Sequence, residues 1–268
     1  MCPALVLAAA LGADAVADCT PGESWAPVKV DAPPGFENPQ WATAPARRLV
    51  TSLQQQAVAE SDADAADPPS TTGWVRLLAD ADALYLRADL ADTDLYNAAN
   101  DQDAHVFTRG DTLEWFIGKP PPVDWSVAGT GPGWYYELHV TPEGQRRAYL
   151  IREPGSFEPL AIAPFEAEIW RWTPRSRPDL FPADQSGGGW SVVMTLPWTA
   201  LARVDPGWRW GDGLSTLVGR YDRTRDPRQP EAKASRRLTM WPAQPRTAFH
   251  LRRHHAPIVF PPREHAEP

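Results

Sequence analysis

Thirty prolines spread through 268 residues limit what this chain can fold into. Proline lacks a backbone donor and clashes with the preceding helical turn, so helix interiors and central strands exclude it. The elements must be short and joined by many turns, which excludes a helical bundle. Between the prolines, apolar and polar residues alternate. Leu84, Leu86, Ala88 and Leu90 interleave with Tyr85, Arg87 and Asp89, and Leu113, Trp115 and Ile117 interleave with Thr112, Glu114 and Phe116. Tyr136, Leu138 and Val140 oppose Tyr135, Glu137 and His139, while Trp190, Val192, Met194 and Leu196 share one face. A period of two puts such sets on opposite sides of a strand. Further strands are expected at 148–151, 165–172, 214–221 and 238–241. Asp80-Ala81-Asp82 and Thr141–Gly144 have turn composition, and Pro197–Leu201 reads as a short helical turn opened by proline. The fold class that follows is all-β, an antiparallel β-sandwich with few helical turns.

Composition bounds the function. Hydrophobic residues make up 43% of the chain, enough for a core, and the formal net charge is −8. An acidic chain lacks the basic footprint of a nucleic-acid binder. Two cysteines cannot build a disulfide framework. Charge is also uneven: residues 58–104 hold 11 acidic and 2 basic side chains, and residues 219–253 hold 10 basic and 3 acidic. The two stretches are either solvated loops on opposite sides or partners in an ion-paired contact.

Residues 4–13 are apolar but too few to span a bilayer. Small-x-small sites follow at Ala13-Asp14-Ala15 and Ala15-Val16-Ala17. A signal peptide over 1–17 is expected, placing one mature domain, 18–268, in the periplasm or outside the cell. Asp18 before Cys19 argues against a lipid anchor, and no later segment is apolar enough to cross a membrane.

The ordered segments Trp74–Asp92, Gly110-Asp-Thr-Leu-Glu-Trp-Phe-Ile117, Tyr135-Tyr-Glu-Leu-His-Val-Thr-Pro142 and Gly189-Trp-Ser-Val-Val-Met-Thr-Leu-Pro-Trp-Thr-Ala-Leu201 resemble the family 9 carbohydrate-binding modules and their family 9-like relatives. Arg220-Tyr221, Trp241, Phe249-His250 and the closing Ile258-Val-Phe260 complete a pattern that covers residues 25–262. The resemblance implies a jelly-roll, DOMON-like sandwich that binds oligo- or polysaccharide without doing chemistry, and a separate glycoside hydrolase as a partner.

The same resemblance implies the site. Glu114 matches a cleft carboxylate, and carboxylates accept strong hydrogen bonds from sugar hydroxyls. Asp111 precedes it on the same segment. The family clamps a sugar between two tryptophans. Here the first clamp position falls at Thr108 beside Phe107, and the second at Phe249; both depart from the family pattern, although phenylalanine can still stack on a pyranose. Glu137 or His139 matches a polar cleft position, and Arg220, Trp241 and His250 complete the candidate set. Trp134, Trp208 and Trp210 lie near turns and are candidates for exposed platforms.

Asp92, Asp94, Asp101 and Asp103 cluster in one loop. Such a loop can offer several of the six to eight oxygens that calcium takes, and the family is known for structural calcium. Three other readings stay open. One is a haem-binding electron-transfer domain ligated through Met194 or Met240. Another is a glycoside hydrolase using Glu114 and Glu137, and the third is an envelope scaffold without a ligand.

Overall fold

The computed structural model describes residues 24–52, 73–92, 94–97, 107, 109–120, 133–152, 156–173, 176, 188–209, 212–224, 235–247, 249–250 and 252–260. The expected leader at 1–17, Cys19, Asp101, Asp103, Thr108 and Trp210 lie outside them. Among the described residues thirteen strands form: β1 Val28–Lys29, β2 Arg47–Leu49, β3 Gly73–Ala79, β4 Ala83–Asp92, β5 Thr112–Gly118, β6 Tyr135–Val140, β7 Arg146–Ile151, β8 Glu158–Pro159, β9 Glu166–Trp172, β10 Gly188–Pro197, β11 Leu214–Thr224, β12 Ser235–Trp241 and β13 Ala256–Ile258. An α-helix, α1, spans Trp198–Val204 directly after Pro197, whose extended backbone caps it.

The strands make two sheets. The six-stranded sheet runs β1-β3-β4-β10-β9, with β2 also paired to β3; the seven-stranded sheet runs β12-β11-β5-β6-β7-β8, with β13 also on β11. Every pairing is antiparallel except β1 with β3. The chain is thus an all-β sandwich, as the alternation predicts. At one edge Val50, just past β2, exchanges backbone hydrogen bonds with Met240 of β12 (3.0 and 2.7 Å), tying one sheet to the other.

The core is the set of alternate residues read from the sequence. Leu84, Leu86, Ala88 and Leu90 of β4 and Trp190, Val192, Met194 and Leu196 of β10 pack against Leu113, Trp115 and Ile117 of β5 and Tyr136, Leu138 and Val140 of β6. Each fully buried aliphatic or aromatic side chain is worth roughly 1.5–3 kcal/mol. Two tryptophans expected as exposed platforms join this core: Trp134 stacks edge-on to Tyr136, and Trp208 lies flat on Trp198 at 5.6 Å. Turn residues nearby set no direction for a side chain, and both indoles fold onto the core, 5% and 7% exposed.

Short polar contacts hold the turns. Asp80 Oδ1 accepts from the backbone N–H of Asp82 and of Ala83, both at 2.8 Å, closing the β3–β4 hairpin. Asp80 Oδ2 accepts from the Tyr85 hydroxyl at 2.6 Å. The Thr141–Gly144 turn is reversed by Gly144, whose φ of 89° is one that side chains disfavour.

Candidate functional site

The outward-pointing residues of the seven-stranded sheet form the candidate site. The strand register sets His139 of β6 between Arg147 of β7 and Glu114 of β5, with Gly219 of β11 and Met240 of β12 continuing the row. A second row runs Tyr149, Glu137, Phe116 and Leu217. Polar and apolar groups here share a face because β5 and β6 alternate in phase: Glu114 and His139 stand opposite each other, as do Trp115 and Leu138 on the core side.

His139 Nε2 lies 2.7 Å from Glu137 Oε1 and 3.3 Å from Glu114 Oε1. All three residues are buried, at 1% exposure for Glu114, 3% for Glu137 and 0% for His139. Burial, reinforced by the neighbouring Glu137 charge, holds the Glu114 carboxyl well above the usual range. Rings cover the trio. Phe107 stands edge-on to His139 at 5.5 Å and tilted on Tyr221 at 4.9 Å. Tyr149 is tilted against His139 at 5.4 Å. Phe249 packs against Phe116 and Tyr221, each at 5.7 Å.

Phe249 can lie there because residue 219 has no side chain. A Cβ on Gly219 would sit 2.7 Å from Phe249 Cε2, closer than packed carbons approach. His250 follows, accessible to solvent over 49% of its side chain. Its Nδ1 is 3.0 Å from the Tyr135 hydroxyl and 3.9 Å from Glu137 Oε2. Phe157, 43% exposed, stands edge-on to His250 at 5.2 Å and completes the rim.

Six of the eight candidate ligand residues therefore meet on one face: Phe107, Glu114, Glu137, His139, Phe249 and His250. The other two lie elsewhere. Arg220 alternates with Gly219 and Tyr221 along β11, so it points between the sheets, where its guanidinium donates to Ala91 O at 2.7 Å and Asp92 Oδ2 at 2.8 Å. Trp241 alternates with Met240 and turns into the core, edge-on to Trp25 at 4.5 Å. Parity was the available signal: Arg220 pairs with Leu113, a core position. Outward parity along β7 and β11 also places Tyr149, Gly219 and Tyr221 on this face, none of them among the eight candidates.

The expected calcium loop meets the same guanidinium. Asp92, Asp111 and Asp222 bring carboxylate oxygens within 4.8 Å of one another. Asp111 accepts from the backbone N–H of Tyr96 at 2.6 Å and of Arg223 at 2.7 Å, and Asp94 N donates to Asp92 Oδ1 at 2.8 Å. Arg220 supplies the positive charge among them, 3.8 Å from Asp222 as well. Among the described residues Arg220 thus provides the positive charge beside Asp92, while Asp222 Oδ1 is buried without a hydrogen-bond partner; Asp101 and Asp103 of the expected calcium set lie outside the described residues. The ion pair joins the acidic and basic stretches of the sequence. Of the methionines considered for haem, Met194 is buried between the sheets and Met240 is buried on the outer face beside Phe249.

Fold and site together define a two-layer antiparallel sandwich with a mixed aromatic and carboxylate cluster on one outer face. No protein-family model matches this sequence, and a comparison with curated proteins finds no match. Solved structures do share the fold. A presumed carbohydrate-binding protein from Bacteroides uniformis is similar with a TM-score of 0.60 at 13% identity, over 90% of this chain and all of that one. A family 9 carbohydrate-binding module from Caldicellulosiruptor kristjanssonii, bound to cellotriose, is similar with a TM-score of 0.54 at 12% identity, over 89% of this chain and 93% of that one. A module of the same family and organism, bound to glucose, gives 0.55 at 12% identity, over 92% and 100% of the two chains.

Proposed function

We propose that this protein is a non-catalytic carbohydrate-binding protein of the family 9-like kind, working outside the cytoplasm and recognising a saccharide on the outer face of its seven-stranded sheet. The observation that carries the reading is convergence. Phe107, Glu114, Glu137, His139, Phe249 and His250 come from four separate stretches of sequence and meet on one face. The shared fold with sugar-bound modules supports it. A pyranose presents apolar C–H faces and hydroxyl edges. The rim formed by Phe107, Tyr221 and Phe157 offers rings for the first, and His250 offers a donor and acceptor for the second. Glu114 and Glu137 lie one layer deeper, nearly fully buried beneath the rings. A secreted hydrolase acting on the same polysaccharide fits as a separate partner.

The test is calorimetric titration of the purified protein with a panel of cello-, xylo- and manno-oligosaccharides. Binding of one class in the micromolar to millimolar range is expected. Phe107→Ala and His250→Ala should each weaken it about 10-fold, since a stacking or charge-assisted contact is worth roughly 1–1.5 kcal/mol. No heat with any saccharide at millimolar concentration, or variants that bind as well as wild type, would reject the proposal.

A further inference from the structure

The geometry points to a divalent transition-metal site, of the kind that takes Zn²⁺, formed by Glu114, Glu137 and His139. One imidazole nitrogen and two carboxylate oxygens lie within 4.8 Å of one another. His139 Nε2 is 2.7 Å from Glu137 Oε1 and 3.3 Å from Glu114 Oε1. A tetrahedral ion with bonds of about 2.0–2.2 Å holds its ligands roughly 3.4 Å apart. Shifts of a few tenths of an ångström along the donor directions would seat it.

A second observation points to a ligand. Glu114 Oε1 is buried and receives no hydrogen bond, because the nearby His139 Nε2 is directed at Glu137. A buried carboxyl oxygen without a donor is costly, and a bound cation is a direct remedy. Charge agrees as well: two carboxylates and a neutral imidazole balance one dication, leaving a neutral centre under a layer of rings.

The donor set selects the class of metal. An imidazole with two carboxylates suits zinc and its transition-metal neighbours. Calcium takes six to eight oxygens, and this pocket offers nitrogen and few donors. Phe107 and Tyr149 both pack against the imidazole, with ring centroids 5.5 and 5.4 Å away, and restrict its rotation. His250, with Nδ1 3.9 Å from Glu137 Oε2, is the nearest further imidazole and stands toward the solvent side, where a fourth ligand or a water would come. The site shares residues with the saccharide face but does not depend on sugar binding.

The experiment is a Co²⁺ titration of tag-free, full-length protein first stripped with a chelator, followed by visible absorption. One equivalent of cobalt should bind and develop the d–d bands of a low-coordinate ion, and Zn²⁺ but not Ca²⁺ should bleach them. Glu114→Gln and His139→Gln should each weaken binding by at least about 100-fold, more than is lost with an outer partner of a metal ligand. Urea midpoints confirm that the variants fold. If neither folds, the imidazole ¹⁵N resonances of His139 in the wild-type protein decide, since they must shift on adding Zn²⁺. Absence of cobalt bands, bands that persist in Glu114→Gln, displacement by Ca²⁺ or unmoved His139 resonances would each overturn the site. Saccharide titration of the stripped protein separates the two proposals, because each can fail while the other stands.

Discussion

Replacing Arg220 by methionine keeps most of the side-chain volume and deletes the only charge that faces Asp92 at hydrogen-bond distance among the described residues. The variant leaves Asp92, Asp111 and Asp222 clustered within 4.8 Å and buried. Removing one partner of a buried ion pair costs about 3–5 kcal/mol. In a domain of this size that lowers Tm by roughly 6–20 °C, at about 2–4 °C per kcal/mol. The loss has a pH signature. Burial already raises Asp92, against the pull of Arg220, and raises Asp111 to about 8, with help from the Asp92 charge. A carboxyl raised in the folded state stabilises it fully below the unfolded value near 4, and that contribution is lost as pH climbs to the folded value. Without the guanidinium these carboxyls rise further, so the variant's deficit must grow with pH. One extra retained proton adds about 1.4 kcal/mol per pH unit, or roughly 3 kcal/mol between pH 6 and pH 8. Urea denaturation of both proteins at pH 6, 7 and 8 measures it. A deficit under about 1 kcal/mol, or one that does not change with pH, would refute the electrostatic account and leave Arg220 a packing role alone.

Other outcomes follow from single contacts. Gly219→Ala should displace Phe249, costing about 1–3 kcal/mol in a thermal melt and weakening saccharide binding; Gly35→Ala, with nothing within 4 Å of a new Cβ, is the control that should do neither. Trp25→Ala empties the space against Trp241 and should cost about 3–5 kcal/mol by chemical denaturation; a cost below 1 kcal/mol would mean the indole is not a core element. Asp80→Ala removes the acceptor of two turn N–H groups and the Tyr85 hydroxyl. It should cost about 1–3 kcal/mol, and adding Tyr85→Phe to it should recover part of the loss, as a double-mutant cycle would show.

Strand positions were legible because the code is local. Leu113, Trp115 and Ile117 announce an inner face whatever lies across from them, and the structure puts all three in the core. The triad was half legible: the alternation places Tyr135, Glu137 and His139 on one side, but only the β5–β6 register sets His139 against Glu114. Arg220 shows the limit. Its charge argued for a surface position, whereas its parity put it inside, and a buried guanidinium is tolerable only because Asp92, 128 residues earlier in the chain, meets it there. Trp134 and Trp208 illustrate the same limit for rings: turn residues nearby say nothing about which way an indole folds.

Trp25 and Ile258 form a bridge, with Trp25 N donating to Pro257 O at 2.8 Å and Val259 N donating to Trp25 O at 3.1 Å. The two extremities of the sandwich are thereby stitched together. Glu114, Glu137 and His139 are all made before residue 140 leaves the ribosome, yet Phe249 and His250 arrive more than a hundred residues later. Until its final segment docks, a nascent chain has the Phe107 and Tyr149 rings beside His139 but lacks those of Phe249 and His250. A truncation between Trp241 and Phe249 would keep β1 to β12 but remove β13 and the Phe249 ring that packs on Phe116 and Tyr221.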